Sequence, residues 1–400
     1  MMRQILKQIV GTPAIELVPG ARGDILVLSM RRVANLAANC LQYEFEDVTI
    51  DITGADRADP TRLELAEFER KVYKTLHKVT SSASLAMSAT TKLGGLRLSK
   101  TYDLFLPVFN DPYELFALSQ VPGWRKHCRY AACLITEAWE TMLPKYLLET
   151  LAEFDHIYLS SNPTESVSKI TGRPCSYLPI GIDALGFCPY PNPPLRSIDV
   201  LGIGRRSPET HAALLALARE RGLFYYYDTI RATSGVADAA RQVTFSVTDP
   251  AEHRFKLAAM LKRSRFFLAS RARANEWQAA QVDELSGRFF EGAAAGAIMI
   301  GEAPRSGKYL ELFDWPDAVI STPFAAPNIA ETIAELEADP ERCIRIRRDN
   351  MVNALLRHDT AYRVHKILDD AGIPAPRGLL AREARLRERA ELVQSATIAP

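Results

Sequence analysis

The sequence predicts an α/β protein made of two domains, each built on a doubly wound parallel sheet. Three observations lead to this expectation. The chain has 400 residues, more than a single hydrophobic core usually serves. Short continuous apolar runs alternate with stretches of helical periodicity, which is typical of parallel strands buried on both faces. A proline-rich segment interrupts this alternation near the middle of the chain.

The first half alternates predicted strands with predicted helices. The apolar runs interpreted as strands span residues 23–30, 48–53, 102–109, 129–136 and 154–161. A long helix is predicted from about Asp59 to Ser88, because apolar residues recur there at helical spacing. The rhythm ends between Tyr177 and Val200, where five prolines deny the backbone the donors that a regular sheet needs.

The second half restarts the strand–helix rhythm. Strands are predicted up to Gly204 and at 222–228, 265–270, 297–300 and 317–322, and helices at 208–222, 253–265, 287–295 and 328–372, the last one broken near Asp339. The end of the chain, 377–396, is rich in arginine and glutamate, which predicts a solvated or domain-bridging helix. The expected organisation is an N-terminal domain at 1–180, a hinge at 181–197, a C-terminal domain at 198–370 and a final helix at 371–400 that bridges back to the first domain.

Composition limits the function. The net charge is +1, so the chain has no bulk attraction to nucleic acid or to an anionic membrane, and any phosphate binding must be local. No apolar run is long enough to cross a bilayer, and the N-terminus lacks a signal peptide's cleavage site. The six cysteines show no C-x-x-C spacing, which favours buried thiols in a reducing cytosol. No D-x-D triplet is present to hold a divalent ion against a nucleotide diphosphate, so no metal is expected.

The segment RFFEGAAAGAIMIGE predicts a short helix, 287–295, that leads into a buried strand. The N-terminus of such a helix attracts anions, and Arg271, Arg273 and Arg288 lie where they can contact phosphate. A carboxylate such as Glu291 accepts two hydrogen bonds from a vicinal diol, for example that of ribose. The alternative is that the small residues only let the helix pack closely on the sheet, with Glu291 on its solvated face.

The segment DVLGIGRRSPETH predicts a second phosphate-binding turn. It places Gly204, Arg205 and Arg206 after a strand and before a helix. It is neither a Walker loop nor a dinucleotide fingerprint, because the G-x-G-x-x-G spacing fails at Ser207. The alternative for the two arginines is a solvated turn.

Together, YLPIGID, IGRRSPE and DELSGRFFEGAAAGAIMI resemble, in this order, the C-terminal half of GT-B glycosyltransferases of the "glycosyl transferases group 1" type, including the spore-maturation-like branch. The resemblance covers about residues 175–370, and its core is Asp283, seven residues and then Glu291. It implies two Rossmann-like doubly wound domains facing a cleft, with Glu291 binding the ribose and Asp283 or Glu284 facing the donor sugar. It also implies that three residues line the diphosphate and the sugar: Ser286, Gly287 and Arg288.

The sequence departs from the family pattern at two positions. Arg205 matches the arginine of the family's strand–turn motif, but Thr210 replaces its lysine, so that Arg206, Arg271 or Arg273 would have to substitute. The acidic residue at 283 is aspartate in place of the usual glutamate. In the first domain no glycine-rich loop follows the strand at 23–30, so no acceptor-side residues carry over.

Three further groups are candidates for a role in function. Glu137 and Glu140 follow a strand of the first domain and could supply a catalytic base, or else belong to a solvated helix start. His253, near Asp249 and Glu252, is best interpreted as part of a helix cap. Trp277 either stacks in the donor loop or packs there without contacting a ligand.

The resemblance implies a cytoplasmic, metal-independent glycosyltransferase that needs no cofactor and takes a UDP- or GDP-linked sugar as donor. Its acceptor would be a glycan, a lipid-linked molecule or a small molecule, in bacterial surface glycan or glycoconjugate synthesis, and peripheral contact with a membrane stays open. Retention at the anomeric carbon is implied by the resemblance alone. The alternatives are another GT-B enzyme, such as a nucleotide-sugar epimerase, and a non-catalytic GT-B-like binding or structural protein.

Overall fold

The structure, a computed structural model, describes the following residues: 15–32, 34, 36–60, 75–76, 79–80, 96–138, 143, 145–228, 246–275 and 283–398. The chain divides into two compact units. Unit 1 contains residues 1–180 and 363–380, and unit 2 contains 181–362 and 381–400. No helix in the described part of the chain is both long enough and apolar enough to pass through a membrane.

Unit 1 is built on a seven-stranded sheet with the strand order β1-β3-β2-β4-β5-β6-β7. The strands are β1 Ile15–Val18, β2 Ile25–Leu28, β3 Asp56–Pro60, β4 Tyr102–Phe109, β5 Cys128–Ile135, β6 His156–Leu159 and β7 Cys175–Tyr177. The helices are α1 Cys40–Thr53, α2 Lys145–Leu151 and α3 Thr164–Thr171, with 3₁₀ segments at Ala37–Asn39, Pro112–Gln120 and Trp124–His127. Among the described strands, only β1 runs antiparallel to its neighbour, and all other pairs are parallel.

The strand predicted at 48–53 is wrong, because these residues form the end of α1. The β-branched residues of this run suggested a strand, but local propensity is weak beside the helical pattern of burial over the whole of α1. The helix ends at Gly54, whose φ of 68° lies in the left-handed region. The true strand, β3, follows at Asp56–Pro60, so the start predicted for the next helix is also wrong. Most of that predicted helix lies outside the described residues.

Unit 2 is built on a five-stranded, fully parallel sheet with the order β12-β11-β10-β8-β9. Its strands are β8 Ile198–Gly202, β9 Tyr225–Tyr227, β10 Ser264–Leu268, β11 Ile298–Gly301 and β12 Ile320–Ser321. Its helices are α4 Ala184–Phe187, α5 Pro208–Arg221, α6 Pro250–Lys262, α7 Gly287–Ala294, α8 Gly307–Leu312, α9 Ile329–Glu337 and α10 Pro340–Arg357. Two further helices, α11 Thr360–Asp370 and α12 Arg377–Ser395, each carry residues of both units.

Capping residues set helix ends in unit 2, and they place α6 three residues earlier than the predicted 253–265. Ser207 precedes α5 and accepts a hydrogen bond from a first-turn N–H, while Gly222, with φ 69°, ends the helix as predicted. Asp249 caps α6 by accepting the N–H groups of Ala251 and Glu252 at 2.9 and 3.1 Å. The predicted C-terminal helix is present as α12, but one of its faces is buried, so the fully solvated helix is wrong and the bridging role stays a prediction. The predicted fold class, two α/β domains with parallel sheets, is confirmed by these two units.

Candidate functional site

The carboxyl edge of the second sheet gathers several of the residues predicted from the sequence. Because the five strands are parallel, the segments that follow them meet at one edge. The turn at Gly204 follows β8, Asp228 follows β9, Ser270 follows β10 and Glu302 follows β11. The N-terminus of α7 begins near the same edge, since Ser286 Oγ donates to the carbonyl oxygen of Ser270 at 2.8 Å.

Gly204 and Arg288 are in direct contact at this edge. A β-carbon placed on Gly204 would lie 2.0 Å from Nη2 of Arg288, so the guanidinium packs on bare backbone. The φ of Gly204 is 75°, in the left-handed region that favours glycine. Its N–H donates to Oδ2 of Asp228 at 2.9 Å. Only glycine therefore satisfies both the backbone conformation and the close approach of the cation.

The cation in the first turn of α7, Arg288, stands in a field of mixed charges. Burial lowers the pKa of Arg288, and the positive charge of nearby Arg205 lowers it further. The negative charges of Glu291 and Asp228 act in the opposite direction and raise it. The guanidinium of Arg205 therefore lies close enough to that of Arg288 for the two to repel each other. An anion placed beside both guanidinium groups would relieve this repulsion.

Arg206 is held against β9. Its Nη1 donates to the carbonyl oxygen of Asp228 at 2.8 Å and lies 3.5 Å from Oδ1 of the same residue. Its guanidinium carbon lies 5.1 Å from the centre of the Tyr227 ring. Arg206 thus connects the turn after β8 to the end of β9. This contact differs from the alternative, in which the arginine lies in a solvated turn.

Glu291 is buried, with 6% of its surface exposed. It forms an ion pair with Arg254 of α6, whose Nη1 donates to Oε1 of Glu291. The guanidinium carbon of Arg254 lies 4.8 Å from the centre of the Phe187 ring. The alternative in which Glu291 lies on a solvated helix face is therefore wrong.

The small residues behind Glu291 serve close packing of helix on sheet. A β-carbon on Gly292 would lie 2.7 Å from the sulfur of Met299 in β11. Gly296, with φ 63°, lies just after the helix and brings the chain into the strand. This part of the segment fits the packing interpretation, whereas Glu291 requires another explanation.

Arg271 and Arg273 lie on the loop after β10. Nε of Arg271 pairs with Oε1 of Glu302 at 3.0 Å, and its backbone N–H donates to the carbonyl oxygen of Glu302 at 2.7 Å. Arg273 has a φ of 56°, which is unusual for a residue with a side chain. The carboxylate of Glu302 thus neutralises part of the positive charge of Arg271.

The two acidic residues before α7 both take part in the loop's own hydrogen bonds. The N–H of Arg305 donates to the carboxylate of Asp283, at 2.8 Å from Oδ2 and 3.0 Å from Oδ1. The carbonyl oxygen of Glu284 accepts the N–H of Ala272 at 2.9 Å. Gly287, the first residue of α7, is partly exposed at the start of the helix.

The candidates outside this edge are less informative. Glu137 follows β5 in unit 1 and is exposed, and its N–H donates to the carbonyl oxygen of Asn110 at 2.7 Å. His253 lies in the first turn of α6, and burial, followed by the charge of Arg254, lowers its pKa. Glu140 and Trp277 lie outside the described residues. In the part of the chain that the structure describes, no group of three or more His, Cys, Asp or Glu residues is placed to hold a metal ion.

Two residues of this region were missed from the sequence. Asp228 had a usable signal, because it directly follows the strand at 225–227 and so reaches the carboxyl edge. Arg254 had none, since an arginine inside an ordinary helix gives no sign that it meets Glu291 of another helix.

Comparison with known proteins supports the resemblance. Residues 229–369, about a third of the chain, match a family model described as "Glycosyl transferase-like". This stretch contains α6, α7, β10 and β11, and thus Arg254, Arg288 and Glu291. The resemblance to glycosyltransferases predicted from the sequence, and with it the predicted enzyme class, is confirmed for this part of the chain. No curated protein matches the chain.

Solved structures give only distant similarities. A glycosyltransferase from Rickettsia africae ESF-5 is 10% identical, and the match covers 88% of this chain and 98% of that one with a TM-score of 0.48. TarM is 13% identical over 67% of this chain and 54% of its own, with a TM-score of 0.41. A mutant of S. aureus TarM in complex with Fondaparinux, alpha-GlcNAc-glycerol and UDP is 10% identical, over 67% of this chain and 55% of that one, with a TM-score of 0.41. At these scores the sheet topology described above, and not the similarity, identifies the fold class.

Proposed function

We propose that this chain transfers a sugar from a nucleotide-diphosphate donor to an acceptor hydroxyl, and that the carboxyl edge of the second sheet binds the donor. The contact of Arg288 with the backbone of Gly204 carries this proposal. It brings a cation, a glycine turn and the N-terminus of α7 to one place, with Arg205 close by. Two arginines that repel each other and the first amides of a helix together form a binding place for a diphosphate.

The parts of the donor would be shared among these groups. Arg205, Arg288 and the first amides of α7 would bind the diphosphate, and Glu291 would accept hydrogen bonds from the ribose. As the glycosidic bond to phosphate breaks, negative charge grows on the leaving diphosphate. The same cations and amides would stabilise that charge without a metal ion.

The acceptor and the cellular setting complete the proposal. The acceptor would be a glycan, a lipid-linked molecule or a small molecule used in bacterial surface glycan synthesis. Glu137, exposed at the end of β5, is the candidate base for its hydroxyl. The six cysteines are free thiols, which supports a reducing compartment and so a cytoplasmic location.

A non-catalytic binding protein is the second candidate, and one observation favours it. Both oxygens of Asp283, the residue expected to face the donor sugar, accept a backbone N–H of the neighbouring loop. A chain that kept the nucleotide site but no longer acted on the sugar would have this arrangement. It would bind a nucleotide diphosphate and release none from a nucleotide sugar.

Calorimetric titration with UDP, GDP and the parent nucleosides tests the donor site. Arg205→Ala should weaken binding of the diphosphate by about tenfold or more, because a charge-assisted bond to phosphate is worth about 1.5–3 kcal/mol, and should leave nucleoside binding unchanged. Arg219→Ala, which removes an exposed arginine from the last turn of α5, is the matched control and should change neither.

The outcomes separate the candidates. Release of UDP or GDP from a nucleotide sugar in the presence of an acceptor supports transfer, and binding without release supports the non-catalytic protein. Absence of binding by the wild-type chain, or an equal loss of nucleoside and diphosphate affinity in Arg205→Ala, would overturn the donor site.

A further inference from the structure

Arg254 and Glu291 form a buried pair between two helices beside the proposed donor site. Each has 6% of its surface exposed. Helices α4, α6 and α7 pack against one another, so that Phe187, Arg254 and Glu291 are brought together from three different elements. The guanidinium of Arg254 lies over the Phe187 ring on one side and donates from Nη1 to Oε1 of Glu291 on the other.

Stability alone does not explain such a pair. Burying two opposite charges costs each ion its hydration, and their mutual attraction often only balances that cost. Two apolar residues of similar volume would fill the same space without this cost. A buried arginine–glutamate pair therefore suggests that the charges are needed in fixed positions.

The pair leaves part of the carboxylate available. An ionised carboxylate has two oxygens and about four positions that accept hydrogen bonds. Arg254 engages Oε1, and within the described residues no hydrogen bond reaches Oε2. The aromatic ring of Phe187 restricts the guanidinium, and the guanidinium in turn restricts the rotation of the carboxylate.

We infer that Arg254 is a positioning residue of the donor site, which holds Glu291 by one oxygen so that the other accepts hydrogen bonds from the ribose hydroxyls. This inference rests on the proposed function. It assigns to Arg254 no contact with the nucleotide, and its effect passes through Glu291. Arg254 also compensates the charge of Glu291, which keeps the buried carboxylate a strong acceptor.

The role of Arg254 can be tested by comparing the affinities of the protein for a ribonucleoside diphosphate and for its 2′-deoxy analogue. For the wild-type protein, the 2′-deoxy nucleoside diphosphate should bind about tenfold more weakly than the ribonucleotide, because one bond to a charged acceptor is lost. In Arg254→Met the ratio of the two dissociation constants should fall to within about threefold, while the affinity for inorganic pyrophosphate stays within about twofold. A loss of folding would change pyrophosphate binding as well, so the two readouts separate positioning from unfolding.

The matched control is Lys256→Met, which removes a cation from the same helix. Lys256 pairs with Glu252 at the surface, at 3.4 Å, and its loss should leave both readouts unchanged. If Arg254→Met fails to fold, Arg254→Lys keeps the charge but loses the planar fork, and the same fall in the ratio is expected.

Each outcome decides the inference. An Arg254 variant that binds pyrophosphate normally and keeps the tenfold ratio would overturn it and leave the proposed donor site intact. A wild-type ratio near one would overturn the ribose role of Glu291 and this inference with it, although nucleotide binding would still support the phosphate site. Absence of any nucleotide binding by the wild-type protein would overturn the proposed function itself.

Discussion

The hydroxyl of Thr210 donates a hydrogen bond to the carbonyl oxygen of Phe324 at 2.8 Å. Oγ1 of Thr210 also accepts the N–H of Ala326, again at 2.8 Å. Thr210 is buried, with 6% of its surface exposed. The family resemblance places a phosphate-binding lysine at this position, but here the side chain fixes the backbone of the segment after β12.

We expect Thr210→Val to destabilise the protein by about 1–3 kcal/mol, because it leaves the buried N–H of Ala326 and the partly buried carbonyl of Phe324 without their partner. Diphosphate affinity should stay within about twofold, since the hydroxyl serves a loop and not an anion. Denaturant unfolding and calorimetric titration measure the two effects. Thr210→Ser, which keeps the hydroxyl, is the control and should recover most of the stability. A tenfold loss of diphosphate affinity in a stable Thr210→Val variant would instead indicate a role at the donor site.

Substitution of Gly204 tests whether the contact with Arg288 matters. Gly204→Ala forces a β-carbon into the space that the guanidinium occupies, 2.0 Å from Nη2, and it also places alanine at a φ of 75°. We expect nucleotide-diphosphate affinity to fall by about tenfold or more as Arg288 is displaced, together with a strain of about 1–2 kcal/mol.

Gly222 provides a matched control in the same unit. Its φ of 69° puts alanine under a similar strain, but a β-carbon there would meet nothing within 4 Å. Gly222→Ala should therefore destabilise the protein by a similar amount, about 1–2 kcal/mol, and leave affinity unchanged. Equal losses of affinity in the two variants would show that general destabilisation, and not displacement of Arg288, explains the effect.

The long strands could be predicted because a strand that is buried on both faces appears in the sequence as a continuous apolar run. The predicted run at 102–109 coincides with β4, which is apolar almost throughout and central in the sheet. The run at 48–53 is rich in β-branched residues, which favour a strand, yet it completes α1, because burial along the whole helix outweighs local preference. The edge strand β7 was not predicted, because its three residues, Cys-Ser-Tyr, form no apolar run.

The site was predictable to the extent that it follows from strand order. Gly204 and Arg288 meet because the ends of parallel strands and the starts of the following helices share one edge, a rule that needs only the sequence. The pairing of Arg254 with Glu291 depends on how α6 and α7 pack, and no local pattern encodes that contact. The role of Thr210 was equally hidden, because its partner Phe324 lies 114 residues away in the chain.

A buried carboxyl group of unit 1 provides the last prediction. Glu46 of α1 is fully buried, where Ser29 Oγ donates to its Oε2 and Arg31 Nη2 lies 3.1 Å from the same oxygen. Burial raises the pKa of Glu46 from 4.5 to about 7, although Arg31 and Ser29 oppose the shift. Between these two values the folded protein binds more protons than the unfolded chain, so the free energy of unfolding must fall as the pH rises through this window.

Glu46→Gln removes this titration and keeps an oxygen to accept the bond from Ser29. At pH 5 the variant should be no more stable than the wild type, whereas by pH 8 the difference between the two should have moved in the variant's favour by about 1–3 kcal/mol. Urea unfolding at the two pH values measures this change, and a carboxyl NMR titration of Glu46 measures its pKa directly. A difference in unfolding free energy that stays constant from pH 5 to pH 8 would mean that Arg31 keeps Glu46 ionised throughout, and that attraction outweighs burial at this site.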